Sequence, residues 1–179
     1  MKNNNKRNLI IKAAERRFSK LGYDATTIEE IAKDLRVAKG GIFYYFKTKE
    51  DLYFEIVIRQ KDKFINEIIN ITNLQTLLNF FLNQAFTPNE EFNIFITTLI
   101  NYNLNKTNER ENEIIEKFIV ELKNHISQFF NNKKDELEIL FIEHTLQSLL
   151  LPNNLLKQTL KDESQIILFQ KYFENIFSH

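Results

Sequence analysis

The residues of this chain that could do chemistry crowd into one short stretch, TTIEEIAKDLRVAKGGIFYYFKTKEDL, which ends at Leu52. Lys39, Gly40, Gly41, Phe43, Tyr44, Tyr45 and Lys49 supply ammonium groups, phenol hydroxyls, an aromatic ring and bare backbone. This set suits recognition of a polyanion. Ammonium and hydroxyl groups donate to phosphate oxygens, while a cation or an apolar ring can meet base edges. The glycine pair is the odd member. Each glycine costs a helix roughly 1 kcal/mol relative to alanine. Core packing gives no reason for that cost, whereas close approach of a helix backbone to another surface does.

The neighbouring residues show how the stretch is positioned. Thr27-Ile28-Glu29-Glu30 has the pattern of a capping box, in which a hydroxyl and a carboxylate each accept a backbone N–H at a helix start. Ile28, Ile31, Ala32 and Leu35 follow at i, i+3, i+4 and i+7, one apolar face of a short helix. A turn falls near Arg36-Val37-Ala38, and residues 39–46 form a second short helix. At 3.6 residues per turn, Ile42 and Phe46 point inward together, Gly40 and Tyr44 point the opposite way, and Gly41 and Phe43 flank them. Adjacent Tyr44 and Tyr45 cannot both face one core, so at least one hydroxyl stays in water. Thr48-Lys49-Glu50-Asp51 reads as the next helix start, with acids suited to the positive end of the helix dipole. Two short helices across a tight turn, then a long third, are the layout of a DNA-reading helix-turn-helix.

This segment resembles the DNA-binding domain of the TetR/AcrR family of bacterial transcriptional regulators. IIKAAERRFSKLGYDATT is similar to the family's first helix and following loop. VAKGGIFYYFKTKEDLYFEIV is similar to its recognition helix and the start of its fourth helix. The likeness spans about residues 8–58. It implies that Thr27, Tyr44, Tyr45 and Lys49 contact phosphates, and that Lys39, Gly40, Gly41 and Phe43 lie at or near base edges. Three positions depart from the family pattern. Arg36 stands where the family usually has a turn glycine, so the backbone there is strained or differently wound. Gly41 replaces a usual Thr, Ser or Asn, and Phe43 a frequent Tyr, which removes two polar groups from the reading helix.

Charge supports the same division of labour. The chain has 179 residues and no net charge, but residues 1–50 carry 12 Lys+Arg against 6 Asp+Glu, and residues 51–179 carry 12 against 18. A basic N-terminal third (+6) suits a nucleic-acid partner, and an acidic remainder (−6) argues against DNA wrapping the whole protein. There is no cysteine, hence no disulfide framework or thiolate metal site. No apolar run approaches the roughly 20 residues of a membrane span, and MKNNNKRN lacks the apolar core of a signal peptide. The expectation is a cytoplasmic protein that does not engage membranes.

With only 3 Gly and 2 Pro, the chain should form long helices joined by few turns. The reading is all-α with about nine helices: a three-helix helix-turn-helix domain over residues 1–50, then a helical dimerisation and ligand-binding bundle over residues 51–179. The first helix spans about residues 6–21, with Ile10, Ala14, Phe18 and Leu21 as its core stripe and Gly22 at its end. The fourth spans about 48–70, and its run Arg59-Gln60-Lys61-Asp62-Lys63 reads as a partly exposed rod. Further helices fall at about 74–86, 90–103, 109–130, 135–151 and 162–177, with Pro152 closing the eighth. The last two are apolar on more than one face, which calls for burial on nearly all sides. A second subunit would provide it, with Phe141, Leu149, Ile166, Phe169, Phe173 and Ile176 at a homodimer interface. The family resemblance implies the same pairing of the last two long helices.

The resemblance also implies an effector pocket among helices four to eight. Phe64, Phe81, Phe92, Phe95 and Phe118 are candidate walls, with Asn101, Tyr102, His125 and His144 as polar anchors. Each of these is more often an ordinary core or structural residue. The composition points to a mainly apolar pocket and a neutral or amphipathic ligand. No Gly-rich phosphate loop, nucleophile elbow or HExxH spacing is present, so neither enzymatic activity, a metal nor a cofactor is expected. The expected function is a homodimeric regulator, a repressor released by an as yet unknown small-molecule effector, that binds an inverted-repeat operator in double-stranded DNA. The alternative is a helical protein-interaction module whose basic end binds an acidic partner and no specific operator.

Overall fold

The computed structural model describes residues 2–86, 90–103, 106–129, 139, 142, 144–146, 164–169 and 171. Among them the fold is all-α. In chain order come α1 (Lys2–Ala25), α2 (Ile28–Leu35), α3 (Lys39–Phe43), α4 (Lys49–Ile68), α5 (Leu74–Phe86), a 3₁₀ turn (Glu90–Phe92), α6 (Asn93–Asn103) and α7 (Glu109–Phe129). Residues 164–169 are also helical. The chain divides into two compact units: Met1–Asp62 with Glu90–Thr98, and Lys63–Asn89 with Leu99–His179.

The first unit buries Ile10, Ala14 and Phe18 of α1, Ile28, Ile31 and Ala32 of α2, Ile42 and Phe46 around α3, and Leu52, Phe54, Ile56 and Val57 of α4. Helix α1 breaks at Gly22, whose φ of 80° and ψ of 173° suit a residue without a Cβ. Leu21 does not complete the core stripe, since it is 46% exposed. Past the break, the Tyr23 ring stacks on Phe18 at 5.9 Å and takes that place. The run at 59–63 is less of a bare rod than its polarity suggests, because Gln60 and Lys61 are buried. Gln60 Nε2 donates to Glu15 Oε1 at 2.7 Å. Its Oε1 accepts the Phe95 backbone N–H at 3.0 Å, one of the donors left without a partner in the first turn of α6. Lys61 pairs with Asp62 at 2.9 Å.

The turn between α2 and α3 decides the geometry of this unit. Arg36 adopts φ 54° and ψ 42°, the left-handed region. Its N–H donates to Lys33 O at 3.1 Å, and the Val37 N–H donates to Ala32 O at 3.0 Å. These two bonds form a Schellman motif, which usually places glycine at the left-handed position. An arginine therefore holds a glycine conformation. Both closing bonds of α2 are made, and the strain stays in the backbone. Helix α3 ends earlier than residue 46, at Phe43, although Tyr44, Tyr45 and Phe46 still donate helix-like bonds to Gly40 and Ile42.

The second unit centres on Phe64. Its ring lies 5.1 Å from Phe80, 5.7 Å from Phe81 and 5.8 Å from Phe118, all edge-to-face. Leu77, Leu78, Ile114, Ile115, Leu122 and Ile126 are buried in the same unit. Asn73 caps the start of α5, its Oδ1 accepting the Thr76 N–H at 2.8 Å. Helix α7 starts with a reciprocal box: Asn108 Oδ1 accepts Glu111 N–H at 2.9 Å, and Glu111 Oε2 accepts Asn108 N–H at 3.0 Å. The helices expected at 135–151 and 162–177 lie largely outside the described residues, as do Phe141, Leu149, Phe173 and Ile176. Ile166 and Phe169 are helical and half-buried.

A left-handed non-glycine residue costs about 1–2 kcal/mol, partly offset by the freer unfolded chain that glycine brings. Arg36→Gly should therefore stabilise the protein by up to about 1 kcal/mol, measured by urea unfolding. Arg36→Ala, which keeps the strain, should give no such gain.

Candidate nucleic-acid interface

The capping box forms as its spacing requires. Thr27 Oγ1 accepts the Glu30 N–H at 3.3 Å, and Glu30 Oε2 accepts the Thr27 N–H at 3.2 Å. Ile42 and Phe46 anchor the reading helix from below, since both are buried. Its outer face carries Lys39, Gly40, Gly41, Phe43 and Tyr44, all exposed. Tyr44 is 74% exposed, and its ring meets half-buried Tyr45 edge-on at 5.0 Å. A Cβ built on Gly40 or Gly41 meets nothing within 4 Å. Neither glycine has a positive φ. Intramolecular packing and backbone conformation thus leave both glycines unexplained, and the bare backbone faces open space. Beside it lies a groove of about 840 Å³ whose lining includes Lys6, Leu9, Val37, Gly41, Tyr44 and Tyr45.

The cations divide into two groups. Arg7 Nη1 pairs with Glu55 at 2.9 Å and its guanidinium lies 4.9 Å from the Phe46 ring centroid. Glu55 also accepts from Arg59 Nε at 2.7 Å. The Arg7 hydrogen bond, the stronger cause, holds the Glu55 carboxyl below the ordinary glutamate range. Arg17 grips Asp34 with two bonds, at 2.6 and 2.8 Å, and sits 3.3 Å from Glu30. These arginines lock α1 to α4 and to α2. Lys33, Arg36, Lys39 and Lys47 remain exposed around the turn and the reading helix.

Lys39 and Lys49 sit differently from one another. The Lys39 ammonium forms an ion pair with Glu29 of α2 and lies 5.4 Å from the Phe43 ring centroid. Its hydrogen bond holds Glu29 below the ordinary glutamate range. The Glu29 partnership crosses a turn and has no local sequence signature. Lys49 points inward: its Nζ donates to Tyr23 O at 2.9 Å and Thr26 O at 3.1 Å, and lies 4.0 Å from the Tyr23 ring centroid. It ties off the carbonyls of the α1–α2 connection, whereas the family likeness led to a phosphate contact.

Of the candidate pocket residues, Phe64, Phe81 and Phe118 come together in the second unit. Asn101 and Tyr102 are half-buried, His125 is buried and His144 is exposed, all in that unit. Phe92 and Phe95 are buried in the first unit.

An exposed two-helix reading head on a basic scaffold defines a helix-turn-helix regulator domain. Residues 10–56 match the family model described as bacterial regulatory proteins, tetR family. The HTH-type transcriptional regulator QacR of Staphylococcus aureus is 42% identical over 59 residues, covering 33% of this chain and 31% of QacR. The matched part spans only 23–31% of the first curated relatives' length. Salmonella enterica GusR has a similar structure, with a TM-score of 0.71 at 12% identity, over 97% of this chain and 96% of GusR. AibR, solved in complex with isovaleryl coenzyme A and operator DNA, gives 0.58 at 20% identity over 81% of this chain and 84% of AibR. No helix among the described residues is long and apolar enough to cross a membrane.

The geometry of Lys49 makes a stability prediction. Lys49→Ala removes the ammonium donor from Thr26 O and from Tyr23 O, of which Tyr23 O keeps the Thr26 N–H at 3.3 Å, and should destabilise the DNA-free protein by about 1–3 kcal/mol, read by chemical unfolding. An unchanged unfolding free energy would mean that the ammonium is spare and available to phosphate.

Proposed function

We propose that this chain is a homodimeric transcriptional regulator that inserts residues 39–45 into the major groove of an inverted-repeat operator. It acts as a repressor, and a small apolar or amphipathic effector releases it. The glycine pair carries the DNA-binding reading. Two glycines weaken a five-residue helix without serving packing or backbone conformation. A duplex that must approach the backbone closely supplies the missing reason. Exposed Tyr44, with the Thr27 side chain at a helix N-terminus, fits phosphate positioning. Lys49 contributes by fixing the α1–α2 connection. The AibR complex, with a coenzyme A ester and operator DNA on a similar fold, supports an effector-responsive reading.

The effector would occupy the second unit. Phe64 and its three ring neighbours favour an apolar ligand, and entry there requires those rings to part. Release from DNA needs a ligand that prefers the non-binding conformation by several kcal/mol. The dimer reading rests on the apolar surplus of residues 135–151 and 162–177.

Two measurements test this. Gly40→Ala and Gly41→Ala should each raise thermal stability, by roughly 0.5–1 kcal/mol, while weakening binding to a DNA site selected from a random pool. Unchanged DNA affinity in both variants removes the basis of the reading. Phe169→Glu should yield monomers by analytical ultracentrifugation, with operator binding lost and helical circular dichroism retained. A wild-type protein that sediments as a monomer at micromolar concentration excludes the dimer.

A further inference from the structure

The outer face of α3 is unusual for a polyanion-binding surface because its largest exposed side chain besides Tyr44 is a phenylalanine. Phe43 is 38% exposed and is not among the buried core residues. The Lys39 ammonium lies 5.4 Å from the ring centroid and is ion-paired with Glu29. Around them the surface is bare, with open space over both glycines. A cation and an apolar ring held side by side can read two kinds of base edge. A lysine donates to O6 and N7 of guanine, and an apolar side chain packs against the C5 methyl of thymine. Of the exposed outer-face side chains, only Tyr44 brings a hydroxyl, since residues 40 and 41 are glycines and residue 43 is phenylalanine.

We propose that Phe43 reads thymine methyl groups beside a guanine taken by Lys39, and that Glu29 is a positioning residue that holds the Lys39 ammonium next to the ring. This deepens the DNA-binding reading above and rests on it. The Glu29 pairing gives the assignment its character. An ammonium already neutralised by a carboxylate adds little to long-range attraction of phosphates, yet keeps N–H donors for a base edge. Its removal therefore changes which sequence is bound more than how binding responds to salt.

The test begins with selection of DNA from a random pool by the full-length wild-type protein. In the enriched site each thymine is then replaced singly by uracil, which removes only the methyl group. Wild-type affinity should fall about threefold to fivefold at one or two positions per half-site, the worth of one buried methyl. Phe43→Ala, whose exposed position leaves the core intact, should bind the thymine and uracil sites alike at those positions. Lys39→Ala should relax the preference for the neighbouring guanine with an unchanged slope of log affinity against log salt, and Glu29→Gln should relax it in part. An enriched inverted repeat that tolerates uracil everywhere, or a uracil penalty that persists in Phe43→Ala, overturns the inference and leaves the DNA-binding reading standing. A pool with no enriched site overturns both.

Discussion

The left-handed turn at Arg36 is the constraint on which the reading head depends. Two backbone bonds close α2 there, from Arg36 N to Lys33 O and from Val37 N to Ala32 O, and they fix the direction in which α3 leaves. From that direction follows the rest of the surface. Ile42 and Phe46 reach the core, Gly40 and Gly41 face open space, and Lys39 arrives opposite Glu29. An arginine at this position satisfies the same bonds as a glycine, at the price of a strained φ. The turn is thus dictated by the need to satisfy the last carbonyls of α2.

Charge serves two separate purposes in the first unit. The Arg7–Glu55–Arg59 and Arg17–Asp34 groups are partly or largely exposed, so solvent screening leaves each ion pair a small contribution to stability. Their effect is mainly geometric, since they fix the azimuth of α1 against α4 and α2. The exposed lysines around the turn supply the field for a polyanion. Lys49 belongs with the structural group, bound to carbonyls of the α1–α2 connection.

The second unit has another logic. Its described core is built from edge-to-face phenylalanines around Phe64, with leucine and isoleucine between them. Edge-to-face ring pairs of this kind add stabilisation beyond the area they bury.

Much of the head was legible in the chain itself, and the legible parts are those set by local rules. The Thr27–Glu30 box, the Ile28–Ile31–Ala32 face, the Thr48 cap and the inward pair Ile42 and Phe46 each depend on residues within a turn or two of one another. The helices read at about 74–86 and 109–130 meet α5 (Leu74–Phe86) and α7 (Glu109–Phe129) for the same reason. Local periodicity could not show that Leu21 would be left outside, that Gln60 would be drawn in to cap α6, or that Lys49 would turn to Tyr23 and Thr26. Nor could it show that Glu29 would restrain Lys39. Those outcomes depend on which unsatisfied donor, carbonyl or charge another element brings near, and sequence spacing carries no record of such meetings. The sequence by itself determined the helices and the chemistry available to the reading face; the tertiary structure decided which polar groups are spent inside the fold and which are left facing out.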